Sequence, residues 1–182
     1  MKPKKSLILL ILVTMFLMPT TSAVARSVVS GKVVDAETQE PIVGAAIYIS
    51  WWKLVGLPGL AYSVEVEVAE CLSDGDGSFE IPRYSTLFKD YQMAVYKMGY
   101  VCWSNDDIFP TYEKREDFRL KNGMVIKLEH FKNEYSKERH ADFTICSSTN
   151  RKGPGLFDDA IKSERDLLKE MAKKRWENKR RN

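Results

Sequence analysis

From Ser27 onward, apolar and polar positions alternate in short runs divided by turn residues. Val29, Gly31 and Val33 take turns with Ser30, Lys32 and Val34, which suits a first strand over residues 27–35. The polar stretch from Asp35 to Pro41 reads as a turn. Residues 44–50, rich in β-branched and aromatic side chains, read as a second strand. Val64, Val66 and Val68 alternate with Glu65 and Glu67, the pattern of a strand with one apolar and one wet face. Asp74-Gly75-Asp76-Gly77 then lies between alternating runs and predicts a hairpin into residues 78–81, because glycine takes positive φ without a Cβ clash. Residues 91–96, 100–103 and 123–128 complete the set, and residues 104–122 read as a long loop around Pro110.

Seven short strands at this spacing predict a mainly β fold, an antiparallel sandwich over residues 26–131. The alternation assigns Val33, Ala45, Ile47, Ile49, Val64, Val66, Val68, Phe79, Ile81, Met93, Val95, Ile126 and Leu128 to its core. Residues 132–155 are polar and read as an irregular linker ending at Gly153-Pro154-Gly155. Residues 156–182 switch to helical spacing, with Phe157, Ala160, Ile161, Leu168, Met171 and Ala172 on one stripe. Acids at Asp158 and Asp159 lead, and bases at Lys179, Arg180 and Arg181 trail, as the helix dipole favours. The expectation is an amphipathic C-terminal helix that docks on the sandwich or binds a partner or an anionic surface.

The first 25 residues set the compartment. Lys2, Lys4 and Lys5 precede an apolar run of 12 residues, Leu7 to Met18, and Ala23-Val24-Ala25 supplies the small residues a signal peptidase accepts. A spanning helix needs roughly 20 residues, so the run reads as a cleavable leader, cut after Ala25 or alternatively Ala23. The chain is expected in a periplasmic, cell-envelope or extracellular setting, with no membrane span after cleavage. Taking the three leader lysines from the 28 basic residues leaves 25 against 25 acidic ones. A mature chain near neutrality lacks the basic face that nucleic-acid binding requires.

Three stretches together resemble the carboxypeptidase regulatory-like domain, a transthyretin-like β-sandwich. Residues 30–49 resemble its opening, in which a strand ends at an Asp (Asp35), a turn carries Pro41, and Gly44-Ala45 begins the next strand. Residues 73–81, with Asp74, Gly77 and Phe79, resemble its central hairpin, and residues 91–100 resemble its strand ending in Gly-Tyr. An insertion over residues 51–62 and the long loop over residues 104–122 depart from it. The resemblance implies a seven-stranded sandwich that does no chemistry itself and accompanies a separate peptidase domain or stands on exported and outer-membrane proteins.

Candidate chemistry changes this picture little. His130 and His140 are the two histidines, there is no HExxH, GxSxG or CxxC motif, and no catalytic, cofactor-binding or metal-binding residue is assigned. Asp74, Asp76, Ser78 and Glu80 alternate like the start of a calcium loop, but the glycine and the bidentate Glu that follow in one are missing. Trp51, Trp52 and Trp103 are a candidate aromatic platform for a glycan, although neighbouring Trp51 and Trp52 on a strand must face opposite ways. Cys71, Cys102 and Cys146 allow one disulfide, for which Cys102–Cys146 is the expected pair, leaving Cys71 packed as a small apolar residue. The sequence therefore predicts a non-enzymatic exported binding or scaffold module with a protein or glycan partner at the envelope. The alternatives are a carbohydrate-binding module and an accessory to a peptidase or outer-membrane assembly.

Overall fold

The computed structural model describes residues 28–84, 89–148 and 155–181. The leader and its cleavage at Ala25 lie outside the described residues. Strands β1 (Val28–Asp35), β4 (Ser78–Pro82) and β9 (Met124–Leu128) form one sheet in the order β4-β1-β9. Strands β2 (Ala46–Val55), β3 (Tyr62–Leu72), β5 (Lys89–Tyr96) and β6 (Trp103–Ser104) form a second in the order β3-β2-β5-β6. Between the sheets lies the apolar core, built on Val29, Val33, Ile47, Ile49, Trp51, Phe79, Ile81, Met93, Val95, Ile126 and Leu128. Within the expected long loop, β7 (Asp107–Ile108) and β8 (Glu113–Lys114) pair as a small hairpin.

Three expectations change. The sandwich is not wholly antiparallel, because β1 and β9 run parallel, with Val33 opposite Ile126. The Asp74–Gly77 turn does not join a hairpin: β3 pairs with β2 while β4 pairs with β1, so the turn carries the chain from one sheet to the other. Gly77 makes that crossing at φ +72°, where an added Cβ would lie 2.5 Å from the Val33 carbonyl oxygen. The Asp74 carboxylate caps this turn by accepting the N–H groups of Asp76 and Ser78 at 3.0 and 2.8 Å, a self-contained use of the side chain.

The third change concerns Val64, Val66 and Val68, which are half-buried rather than core. Glu67 stands opposite Trp51 and Glu65 opposite Trp52, so Val66 is an extra residue in a bulge. The bulge flips the alternation. Val68 shares the outer face with Ser50, while Val64 shares Lys53's face beyond the core. On β3 the inter-sheet core is met by Ala69 and Cys71 instead.

The outer face of the second sheet carries a second apolar layer. Residues 132–155 are not wholly irregular, for helix α1 (Lys137–Cys146) forms within them, its N-cap Ser136 accepting the Arg139 N–H. The expected C-terminal helix is divided at Ile161 into α2 (Leu156–Ala160) and α3 (Lys162–Arg181). Phe157 and Ile161 pack with Phe143 and Phe109 over Tyr48, Ala94 and Tyr96 of the sheet. The tail thus docks through its first turn and Ile161. Helix α3 runs against α1, with no fully buried side chain of its own and an Arg175–Glu138 ion pair between the two helices.

Candidate functional site

Where the helices cover the second sheet, a cleft of about 320 Å³ opens among Tyr96, Gly99, Phe131, His140, Glu164 and Leu167. Tyr96, His140 and Glu164 are each brought to its wall by a different element. Tyr96 ends β5 and turns to the outer face beside Ala46. His140 sits one turn into α1, and Glu164 lies in the first turn of α3.

These three side chains form a continuous chain of hydrogen bonds. The Tyr96 hydroxyl donates to Glu164 Oε1 at 3.0 Å. His140 Nδ1 lies 3.5 Å from the same oxygen. His140 Nε2 accepts the backbone N–H of Cys102 at 3.0 Å, so the imidazole is neutral with its proton on Nδ1. The ring is 3 % exposed and packed among Tyr96, Phe109 and Phe131. Burial pushes the Glu164 carboxyl up, but hydrogen bonds from His140 and Tyr96 outweigh it and hold the carboxyl below its ordinary value. Burial, reinforced by Glu164, pushes the Tyr96 phenol well above its ordinary range.

A cysteine and a histidine side by side invite comparison with a nucleophilic dyad, but the geometry is wrong for one. The imidazole engages the amide of Cys102 and leaves its thiol aside. That thiol is buried against the Trp103 carbonyl at 3.8 Å and is pushed up to about 12 by burial. It is therefore protonated and out of solvent.

A second cluster lies across the Tyr100 edge of the cleft. Asp35 Oδ1 accepts the N–H groups of Glu37 and Thr38 at 2.8 and 2.9 Å, closing the turn after β1. Its Oδ2 accepts from the Tyr100 hydroxyl at 3.1 Å and faces His130 Nε2 at 2.8 Å. The His130 ring stacks on Tyr100 at 4.3 Å and its side chain is 55 % exposed. The Thr38 N–H above all, then the Glu37 N–H, Tyr100 and His130, against the opposing effect of burial, hold the Asp35 carboxyl below its ordinary value. Among the described residues, no three His, Cys, Asp or Glu side chains gather as a metal site would need.

The candidate aromatic platform is taken apart by the fold. Trp51 is fully buried in the inter-sheet core against Tyr84. Trp103 is buried against Phe118, with the Arg115 guanidinium over its ring. Only Trp52 of the three reaches the outer face, half-buried, its indole N–H bonded to the Ser50 hydroxyl. The expected Cys102–Cys146 bridge is not formed, and all three cysteines are free thiols. On α1, Thr144 faces inward, and two residues further on the helix turns Cys146 out to solvent. The polar network missed in the sequence had one local signal, the Ser136 cap that starts α1. Its members are otherwise far apart in the chain.

No protein-family model matches this chain, and no curated protein matches it. Among solved structures it is similar to the C-terminal domain of shaft pilin SpaA from Lactobacillus rhamnosus GG, at 17 % identity and a TM-score of 0.35, covering 57 % of this chain and 97 % of that one. The longer shaft pilin SpaA matches at 16 % identity and a TM-score of 0.36, covering 58 % of this chain and 46 % of that one. A streptococcal ancillary pilin matches at 19 % identity and a TM-score of 0.29, covering 58 % of this chain and 30 % of that one. At these scores the likeness assigns neither a family nor an activity.

Proposed function

We propose that this chain is an exported, non-enzymatic binding or scaffold module of the carboxypeptidase regulatory-like type. One observation carries the reading: His140, Glu164, Tyr96 and Asp35 are spent on holding the fold. His140 uses one ring nitrogen on the Cys102 amide and turns the other to Glu164. Glu164 and Tyr96 satisfy each other, and the Asp35 carboxylate closes its own turn. A general base must be free to reach a substrate proton, and none of these groups is. The leader places the module outside the cytoplasm, and its partner is a protein or glycan of the envelope.

The purified chain beginning at Arg26 tests this reading. It is expected to release no C-terminal amino acids from peptides, while cross-linking in the intact envelope joins it to a discrete partner. Turnover that disappears in His140→Gln with the fold intact would overturn the reading. A glycan partner would show as array binding lost in Trp52→Ala.

A further inference from the structure

The β2–β3 hairpin runs on past the inter-sheet core. Trp51 is the last β2 residue in the inter-sheet core, yet β2 continues to Val55 before turning back at Tyr62. Among the described residues, β5 accompanies it as far as Lys89, opposite Lys53, and Leu54 and Val55 pair with Ser63 and Tyr62 of β3. The tip turns through Gly56 at φ +113° and Gly59 at φ +86°, with the Leu60 N–H donating to the Leu57 carbonyl at 2.9 Å.

Its side chains are the wrong kind for water. Leu57 is 71 % exposed and Leu60 77 %, and Leu54 and Tyr62 are exposed beside them. No charge occurs between Lys53 and Glu65, a stretch of 11 residues. Below this apolar cap the residues change in order. Tyr62 comes first, opposite Val55, then Lys53 with Lys89 opposite it, then Trp52 flanked by Glu65 and Asp90.

We propose that this tip inserts into the interfacial layer of a lipid bilayer. Leucines at the end, a tyrosine behind them and a lysine at the headgroup level are the order a membrane interface selects. At 3.3 Å per residue Lys53 stands roughly 10 Å from the tip, which matches the shallow insertion of interfacial segments. The turn's remaining backbone groups need water or headgroups, which limits the depth to that layer. A second copy of the chain is the poorer occupant. Two strands about 5 Å apart bearing four exposed apolar side chains offer far less than the ~800 Å² per partner of a stable protein interface.

The chain beginning at Arg26, which keeps every described residue and lacks the apolar leader, tests this by co-sedimentation. The vesicles are phosphatidylcholine alone or with phosphatidylglycerol added. The chain is expected to sediment with both and more strongly with the anionic ones. Leu57→Asp with Leu60→Asp is expected to lower partitioning at least about tenfold, with circular dichroism and urea midpoint unchanged because both leucines are exposed. The alanine pair is expected to give a smaller loss, and Lys53→Gln a loss on anionic vesicles only. The proposal is overturned if neither vesicle binds the chain. It is equally overturned if the aspartate pair binds normally, if Trp176→Ala on α3 abolishes binding instead, or if the leucines support only a dimer in solution.

Discussion

His140 Nε2 accepts the backbone N–H of Cys102 at 3.0 Å, joining α1 to the loop before β6 across 38 residues of sequence. Replacing His140 with Ala strands a buried N–H and opens a gap among Tyr96, Phe109 and Phe131. The expected loss is about 2–4 kcal/mol, read as a lower urea midpoint. A change within about 0.5 kcal/mol would mean the bond holds nothing.

Glu164 gives the pH dependence of the same network. Its folded carboxyl lies below the ordinary 4.5, through hydrogen bonds from His140 and Tyr96 that outweigh burial. A lowered folded value means stabilisation that is full above the unfolded pKa and fades as pH falls through the folded one. Glu164→Gln is therefore expected to cost about 1–2 kcal/mol at pH ~7, and the gap from wild type should narrow at pH ~3. Urea midpoints at the two pH values check this, and a gap that widens in acid would reverse the assigned sign.

The two neighbouring tryptophans separate the faces of β2. Trp51→Ala empties a fully buried core position and is expected to cost about 3–5 kcal/mol. Trp52→Ala removes a half-buried ring bonded to Ser50 and is expected to cost about 1 kcal/mol. Equal losses in thermal or urea unfolding would contradict the assignment of Trp51 to the inter-sheet core.

The thiols should differ in reactivity. Cys146 is exposed, burial pushes Cys71 up to about 11, and burial pushes Cys102 up to about 12. Alkylation of the native chain is expected to reach Cys146 first, Cys71 slowly and Cys102 only on unfolding. A peptide pairing Cys102 with Cys146 in the unreduced protein would contradict the free thiols.

Much of the core was legible where one face of a strand stays on one side. Ile47 and Ile49 on β2, and Met93 and Val95 on β5, alternate regularly and are fully buried. The alternation misled where the backbone breaks period. A single bulge at Val66 moves Val64 and Val68 to opposite faces, and nothing in a Val-Glu repeat marks which residue is extra. The Asp74 turn had the right chemistry but not the right consequence, because turn residues specify a local bend and not which sheet receives the next strand. Helix α1 was missed because its inward residues include His140 and Thr144, which blur an apolar stripe. The cleft was illegible for a further reason: Tyr96, His140 and Glu164 meet only once the helices fold over the outer face of the second sheet.

The most direct test of the claim that the site's imidazole is committed to the fold is ¹⁵N NMR of the two histidine side chains. Accepting the Cys102 N–H requires His140 to be the neutral Nδ1–H tautomer, with Nε2 unprotonated. The expected spectrum at neutral pH shows that tautomer for one histidine, with its Nδ1–H protected from solvent exchange. The Nε2–H tautomer, or a ring whose N–H exchanges freely, would contradict the account, because the imidazole would then be available for chemistry.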